Sequence, residues 1–248
     1  GNLNTFRYLE KKAKVPFTFL DVPYADDVDS ISYLADQLRQ LAKTLEERTG
    51  RKFQEEQLKE ILRTENETRA ELMKFFDYQK TYYYPGELIS HLYMMMGMHL
   101  LIGTREFLDL IRFMNEEIQK APLFEGKRIL WIHLMPFYQE SLKKYFNSSK
   151  KYQIIASDII LDFMEELDAE HPFEALARKI IKNLYNGSYA YKAKMIGQLA
   201  DHLKPDAVIH FCHWGCKQAS GGSVLLKEKM QEMNIPMLIL DGDGIDKR

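Results

Sequence analysis

The chain has 248 residues, of which 46% are apolar and 28% charged, so it belongs among globular proteins and wholesale disorder is excluded. Its 36 acidic and 34 basic residues nearly cancel, leaving a net charge of −2, so no overall field draws it to nucleic acid or an anionic membrane. Two cysteines exclude a disulfide framework, no apolar run is long enough to cross a bilayer, and the first ten residues lack the core of a secretory signal; a cytoplasmic protein is expected.

Residues 1–125 read as a mostly helical region with one strand. The strand is Val15–Val22, an apolar run closed by Pro23. Ile31, Leu34, Leu38, Leu41 and Leu45 then recur at helical spacing, with Gly50 as the stop. Leu58, Ile61, Leu62, Leu72, Phe75 and Phe76 predict a second helix. Two more follow, over 87–99 and 104–119, split near Gly103. Within them, Tyr93–Met98 is rich in methionine, which suits adaptable packing or subunit contact, as does the run Tyr82–Tyr84.

Residues 121–126 read as a linker, and the pattern changes beyond it. Short apolar strands over 128–134, 152–157, 206–211 and 236–241 alternate with helices near 138–146, 174–184, 189–203 and 223–233. This alternation predicts an α/β domain over 126–248, a doubly wound parallel sheet of four strands. In such sheets ligands gather beyond the carboxyl ends of the strands. Those ends here are His133–Pro136, Ser157-Asp158, Cys212–Cys216 and Asp241–Asp246.

The third end carries His213-Trp-Gly-Cys-Lys-Gln218. Its thiols suit a metal or an iron–sulfur cluster, or equally an apolar core. Cys212, His213 and Cys216 lack the second ligand pair that zinc needs, and three intervening residues are one too many for a thioredoxin-like motif. Gly221-Gly-Ser223 opens a helix without a phosphate-loop signature. Asp241-Gly-Asp-Gly-Ile-Asp246 is half a calcium loop without its terminal glutamate. The chemistry-bearing residues at this edge, candidates to line a cleft, are Cys216, His133, Cys212, His213, Trp214, Lys217, Asp241 and Asp243; no catalytic residue is singled out.

Read together, His213–Gln218, Gly221-Gly222, Ile235–Leu240 and Asp241–Asp246 resemble the 2-hydroxyglutaryl-CoA dehydratase/benzoyl-CoA reductase family, most nearly its smaller dehydratase-type subunit (the D-component). Phe19–Pro23, Leu45–Gly50, Asn66 with Arg69, and Arg128–Trp131 with Pro136 extend the resemblance along nearly the whole chain. It implies oxygen-sensitive lyases of anaerobic metabolism and amino-acid fermentation, in which two related subunits each hold a [4Fe-4S] cluster through three cysteines. Two of those lie in an N-terminal domain and one in the last domain, where Cys216 matches. A separate ATP-dependent activator iron–sulfur protein supplies one electron, and the resulting ketyl radical of the CoA thioester eliminates water.

No cysteine precedes residue 212 and no helix follows Asp246. The expectation is a fragment lacking the N-terminal domain and C-terminal helix, inactive alone and without a stable cluster, whose parent works as a hetero-oligomer. Two alternatives stand beside the dehydratase. One is a benzoyl-CoA-reductase-like or other low-potential small-molecule reductase. The other is a non-catalytic scaffold or electron-transfer paralogue that has lost its cluster.

Overall fold

A computed structural model describes residues 3–243, so Gly244–Asp246 of the acidic loop, and anything expected after them, lie outside the described residues. An unpredicted helix, α1 (Leu3–Ala13), opens the chain with none of its residues buried. Helix α2 (Val28–Thr49) starts where the Asp27 side chain accepts the Ser30 N–H at 2.8 Å, and ends at Gly50, whose φ of +67° only glycine adopts cheaply. Next come α3 (Glu55–Gln79), α4 (Leu88–Leu100) and α5 (Arg105–Ile118), the last capped by Thr104 through the Phe107 N–H. The predicted helices of the first half are all formed.

Val15–Val22 corrects one expectation, because it forms no strand. A strand needs a ladder, and here side chains satisfy the extended backbone instead. Asp21 exchanges two hydrogen bonds with the Gln37 amide at 2.8 and 2.9 Å, and Phe17 N–H donates to Glu10. Phe17 stacks between Phe6 and Phe19, while Leu20 and Val22 pack on α2.

Beyond Gly126 the elements are β1 (Lys127–Ile132), α6 (Glu140–Phe146), β2 (Tyr152–Ser157), α7 (Pro172–Ile181), α8 (Tyr189–Leu203), β3 (Ala207–His213), α9 (Lys217–Ser220), α10 (Ser223–Glu232) and β4 (Met237–Gly242). All four strands are parallel, in the order β2–β1–β3–β4. The direction of winding reverses between β1 and β3, and the crevice beyond that reversal is where such sheets bind ligands.

Successive side chains alternate across the sheet. Ile129, Trp131, Ile154, Ile209 and Phe211 face one way, onto Leu142 and Phe146 of α6 and Leu88 of α4. Leu130, Ile132, Ile155 and Val208 face the other, into a core shared with Leu72, Phe75 and Phe76 of α3, Ile111 of α5, Ile196 and Leu203 of α8, and Leu226 of α10. Helices of the first half thus cover the sheet of the second.

The tyrosine and methionine runs mostly join this packing. Tyr82, Tyr84, Met94 and Met95 lie against the core, and Tyr83 donates to the Ser148 carbonyl at 2.7 Å. Tyr93 and Met96 alone of the two runs are openly exposed. Asn66 and Arg69 have a structural task. Asn66 pairs with both backbone groups of Leu167, and Arg69 donates to the Phe163 carbonyl while buried Glu65 holds its guanidinium. Together they fasten the β2–α7 connection to α3.

Candidate functional site

Where β1 ends, His133 turns into the left-handed region at φ +73°. Its N–H donates to Asp158 Oδ1 at 2.6 Å, just past the end of β2. Asp158 is completely buried. Its Oδ2 accepts the Tyr185 hydroxyl at 2.8 Å and faces the Lys192 ammonium of α8 at 2.9 Å. Lys192 is itself only 1% exposed. Its approach to Asp158 is an ion pair without well-aligned hydrogen-bond geometry, and the ammonium rests 3.7 Å from the centre of the Tyr185 ring.

These contacts set the charges. Burial pushes the Asp158 carboxyl up, but Lys192, the His133 amide and Tyr185 outweigh it and hold the group below the usual carboxylate range. Tyr185 is driven well above its ordinary value by burial and by Asp158. Burial lowers the His133 imidazole to about 4, with Lys192 helping and Asp158 opposing. His210, inside β3, is likewise lowered by burial to about 4. Both rings are therefore neutral near pH 7. His133 Nδ1 is buried without a hydrogen-bond partner, and the ring lies 5.7 Å from that of Tyr185 and 6.4 Å from that of His213.

His213 closes β3, and the turn after it brings up Cys216, whose N–H donates to the His213 carbonyl at 3.0 Å. The His213 ring lies over Gly215, where a Cβ would come within 2.9 Å of it. Cys216 is half-buried at the end of an inner strand of the sheet. Cys212 is buried within β3, its Sγ 3.7 Å from His210 Nδ1, and burial together with Asp241 pushes its thiol up. It belongs to the interior.

The remaining expected site residues form a rim. Trp214 is 69% exposed, with its N–H tied to the Gly242 carbonyl, and Lys217 is exposed. Asp241 is exposed opposite Cys212 in the ladder, and the Asp243 carbonyl accepts the Tyr138 hydroxyl at 2.8 Å. Gly221-Gly222 serves close packing. A Cβ on Gly222 would stand 2.0 Å from Tyr189 Cγ, and the Tyr189 hydroxyl donates to the Ala219 carbonyl at 3.1 Å.

At the β1/β3 switch point the His133 ring thus stands beside those of His213 and Tyr185, above Asp158 and Lys192, and the turn after His213 brings up Cys216. Two cavities of about 520 and 590 Å³ lie elsewhere, along the β2–α7 connection, and none of the Cys216-loop residues lines them. The Asp158–Lys192–Tyr185 group is the part missing from the sequence-based site. Ser157-Asp158 marks a strand end, but nothing local links it to residues 27 and 34 positions later.

Among the described residues, no three His, Cys, Asp or Glu side chains converge as a metal-binding group. The crevice presents one thiol, so these residues by themselves do not fit a four-iron cluster, which needs several thiolates.

Fold and site define a doubly wound α/β protein with thiol and imidazole chemistry at its switch point. The chain belongs to the 2-hydroxyglutaryl-CoA dehydratase D-component family, whose profile matches residues 1–248. It is 25% identical over 267 aligned residues to the (R)-phenyllactyl-CoA dehydratase alpha subunit of Clostridium sporogenes, covering 98% of this chain and 62% of that protein. It is 22% identical over 261 aligned residues to the (R)-2-hydroxyglutaryl-CoA dehydratase subunit alpha of Acidaminococcus fermentans, covering 97% of this chain and 52% of that protein. The chain therefore spans between half and two thirds of the length of these relatives.

Proposed function

We propose that this chain is part of a 2-hydroxyacyl-CoA dehydratase subunit, and that its β1/β3 crevice forms one wall of the site where a CoA thioester loses water. The reaction breaks the C2–O bond and a C3–H bond, giving a 2-enoyl-CoA and water. A related subunit completes the site, and an ATP-dependent activator supplies the initiating electron. Cys216 is the thiol this chain offers to an iron–sulfur cluster whose other ligands lie outside it. The His133 and His213 rings lie 6.4 Å apart next to the turn that carries that thiol, and the neutral His133 ring keeps a nitrogen able to accept a hydrogen bond. Membership of the family over the whole chain carries this reading, and the His133 and His213 rings beside the turn that bears Cys216 support it.

The test uses the full-length protein bearing this chain, joined anaerobically with its related subunit, activator, ATP and reductant. A panel of (R)-2-hydroxyacyl-CoA thioesters should yield the matching enoyl-CoA, detected by mass. Cys216→Ser should abolish turnover while the subunits still associate. Reduction of an aromatic CoA ester without any dehydration would establish the reductase reading instead. Neither activity, with the subunits associating normally, would point to the scaffold.

A further inference from the structure

His133 adopts a left-handed backbone without being glycine, and a residue does so only where its surroundings compensate. The compensating contact is the 2.6 Å hydrogen bond from its N–H to Asp158. A completely buried carboxylate with no cation nearby would take up a proton and hold that N–H more weakly. Lys192 at 2.9 Å and the Tyr185 hydroxyl at 2.8 Å keep it charged and aimed.

The buried face of α8 is apolar apart from Lys192. Ala193, Ile196, Leu199, Ala200 and Leu203 bury the inner face of α8, and an apolar side chain at 192 would fill the same space. Buried ion pairs are weak contributors to stability when an apolar group could replace both partners, so this one suits a task of orientation.

We propose that Lys192 and Tyr185 are positioning residues, which act through Asp158 to fix the His133 turn and, through the His133 ring against His213, set the turn that carries Cys216. What the set turn is for rests on the dehydratase reading; the anchoring itself does not.

Hydrogen exchange followed by mass spectrometry, on the full-length protein assembled with its related subunit, tests the two parts separately. In Lys192→Met the amides of residues 132–138 should exchange about tenfold faster, as expected for weakening one charge-assisted hydrogen bond. Residues 152–157 of β2 should keep their wild-type rate. Tyr185→Phe, which removes one hydroxyl and keeps the ring, should show the same local pattern to a smaller degree, and it decides the matter if Lys192→Met fails to fold. Turnover should fall at least tenfold in kcat, with KM within twofold of wild type.

Wild-type exchange at 132–138 would overturn the proposal, and so would equal acceleration there and in β2. Local loosening with unchanged kcat would overturn the role in turnover while leaving the dehydratase reading intact. A folded wild-type assembly that dehydrates no 2-hydroxyacyl-CoA would refute that reading, and the exchange rates would still decide the anchor.

Discussion

Acidification from pH 7 to pH 5 should destabilise this protein through three imidazoles that burial lowers. Burial holds His91, His133 and His210 near 4 in the fold, against about 6.5 in the unfolded chain. Between those values the unfolded chain binds more protons, so stability falls as the pH falls through 6.5 toward 4. At about 1.4 kcal/mol per pH unit, each ring removes roughly 2 kcal/mol by pH 5 and about 3 kcal/mol by pH 4. His99 and His171 work the other way, because Asp162 and Asp168 raise them; water screens the exposed His171–Asp168 pair, while the more sheltered His99–Asp162 pair offsets part of the loss. Urea titrations read by the fluorescence of fully buried Trp131 would follow the effect. The midpoint should stay level above about pH 7 and drop steadily below it. His210→Gln should remove about a third of the drop, whatever it does to stability at pH 8. A midpoint unchanged between pH 7 and pH 5, or a His210→Gln profile parallel to wild type, would refute the reasoning.

Gly222→Ala places a methyl group 2.0 Å from the Tyr189 ring and should cost about 1–3 kcal/mol, seen as a fall of several degrees in Tm by calorimetry; adding Tyr189→Ala should shrink the penalty of the alanine. Asp206 accepts from the Arg128 amide and guanidinium and from Lys127, and although burial opposes them these contacts lower it to about 2. Its stabilisation is complete above about pH 4 and disappears as the pH falls toward 2, so Asp206→Asn should cost about 1–2 kcal/mol at pH 7 by urea titration and almost nothing at pH 2. Thr104→Ala removes the α5 cap and should cost about 1 kcal/mol by the same measurement.

Elements whose cause is local were readable from the sequence. Strand β2 and helix α8 have the bounds that their apolar patterns indicate, and Gly50 stops α2 where the glycine stands. Val15–Val22 misleads because an apolar run carries no information about whether a second strand lies beside it; Gln37 took up the backbone groups of Asp21 instead. The same division holds at the site. His133, His213 and Cys216 could be placed together because parallel topology sends strand ends to one edge. Lys192 reads as an ordinary solvent-facing lysine between Tyr191 and Ala193, and only the arrival of Asp158 from another element makes its burial tolerable. Cys212, one residue inside the end of β3, is an interior thiol, whereas Cys216, four residues on and past the strand, is half-buried.

The shared core has a temporal consequence. Leu72, Phe75, Phe76, Ile111 and Ile118 leave the ribosome well before Val208, Leu226 and Met230, against which the same cluster closes. On the order of a hundred residues separate the two groups, which is roughly 5–20 s of synthesis at ordinary elongation rates. For that interval α3 and α5 can pair with each other but have no sheet to cover. The nascent chain should therefore be a holdase client until β3 and α10 emerge, and slowing translation across residues 126–206 should lengthen that exposure without altering the finished protein.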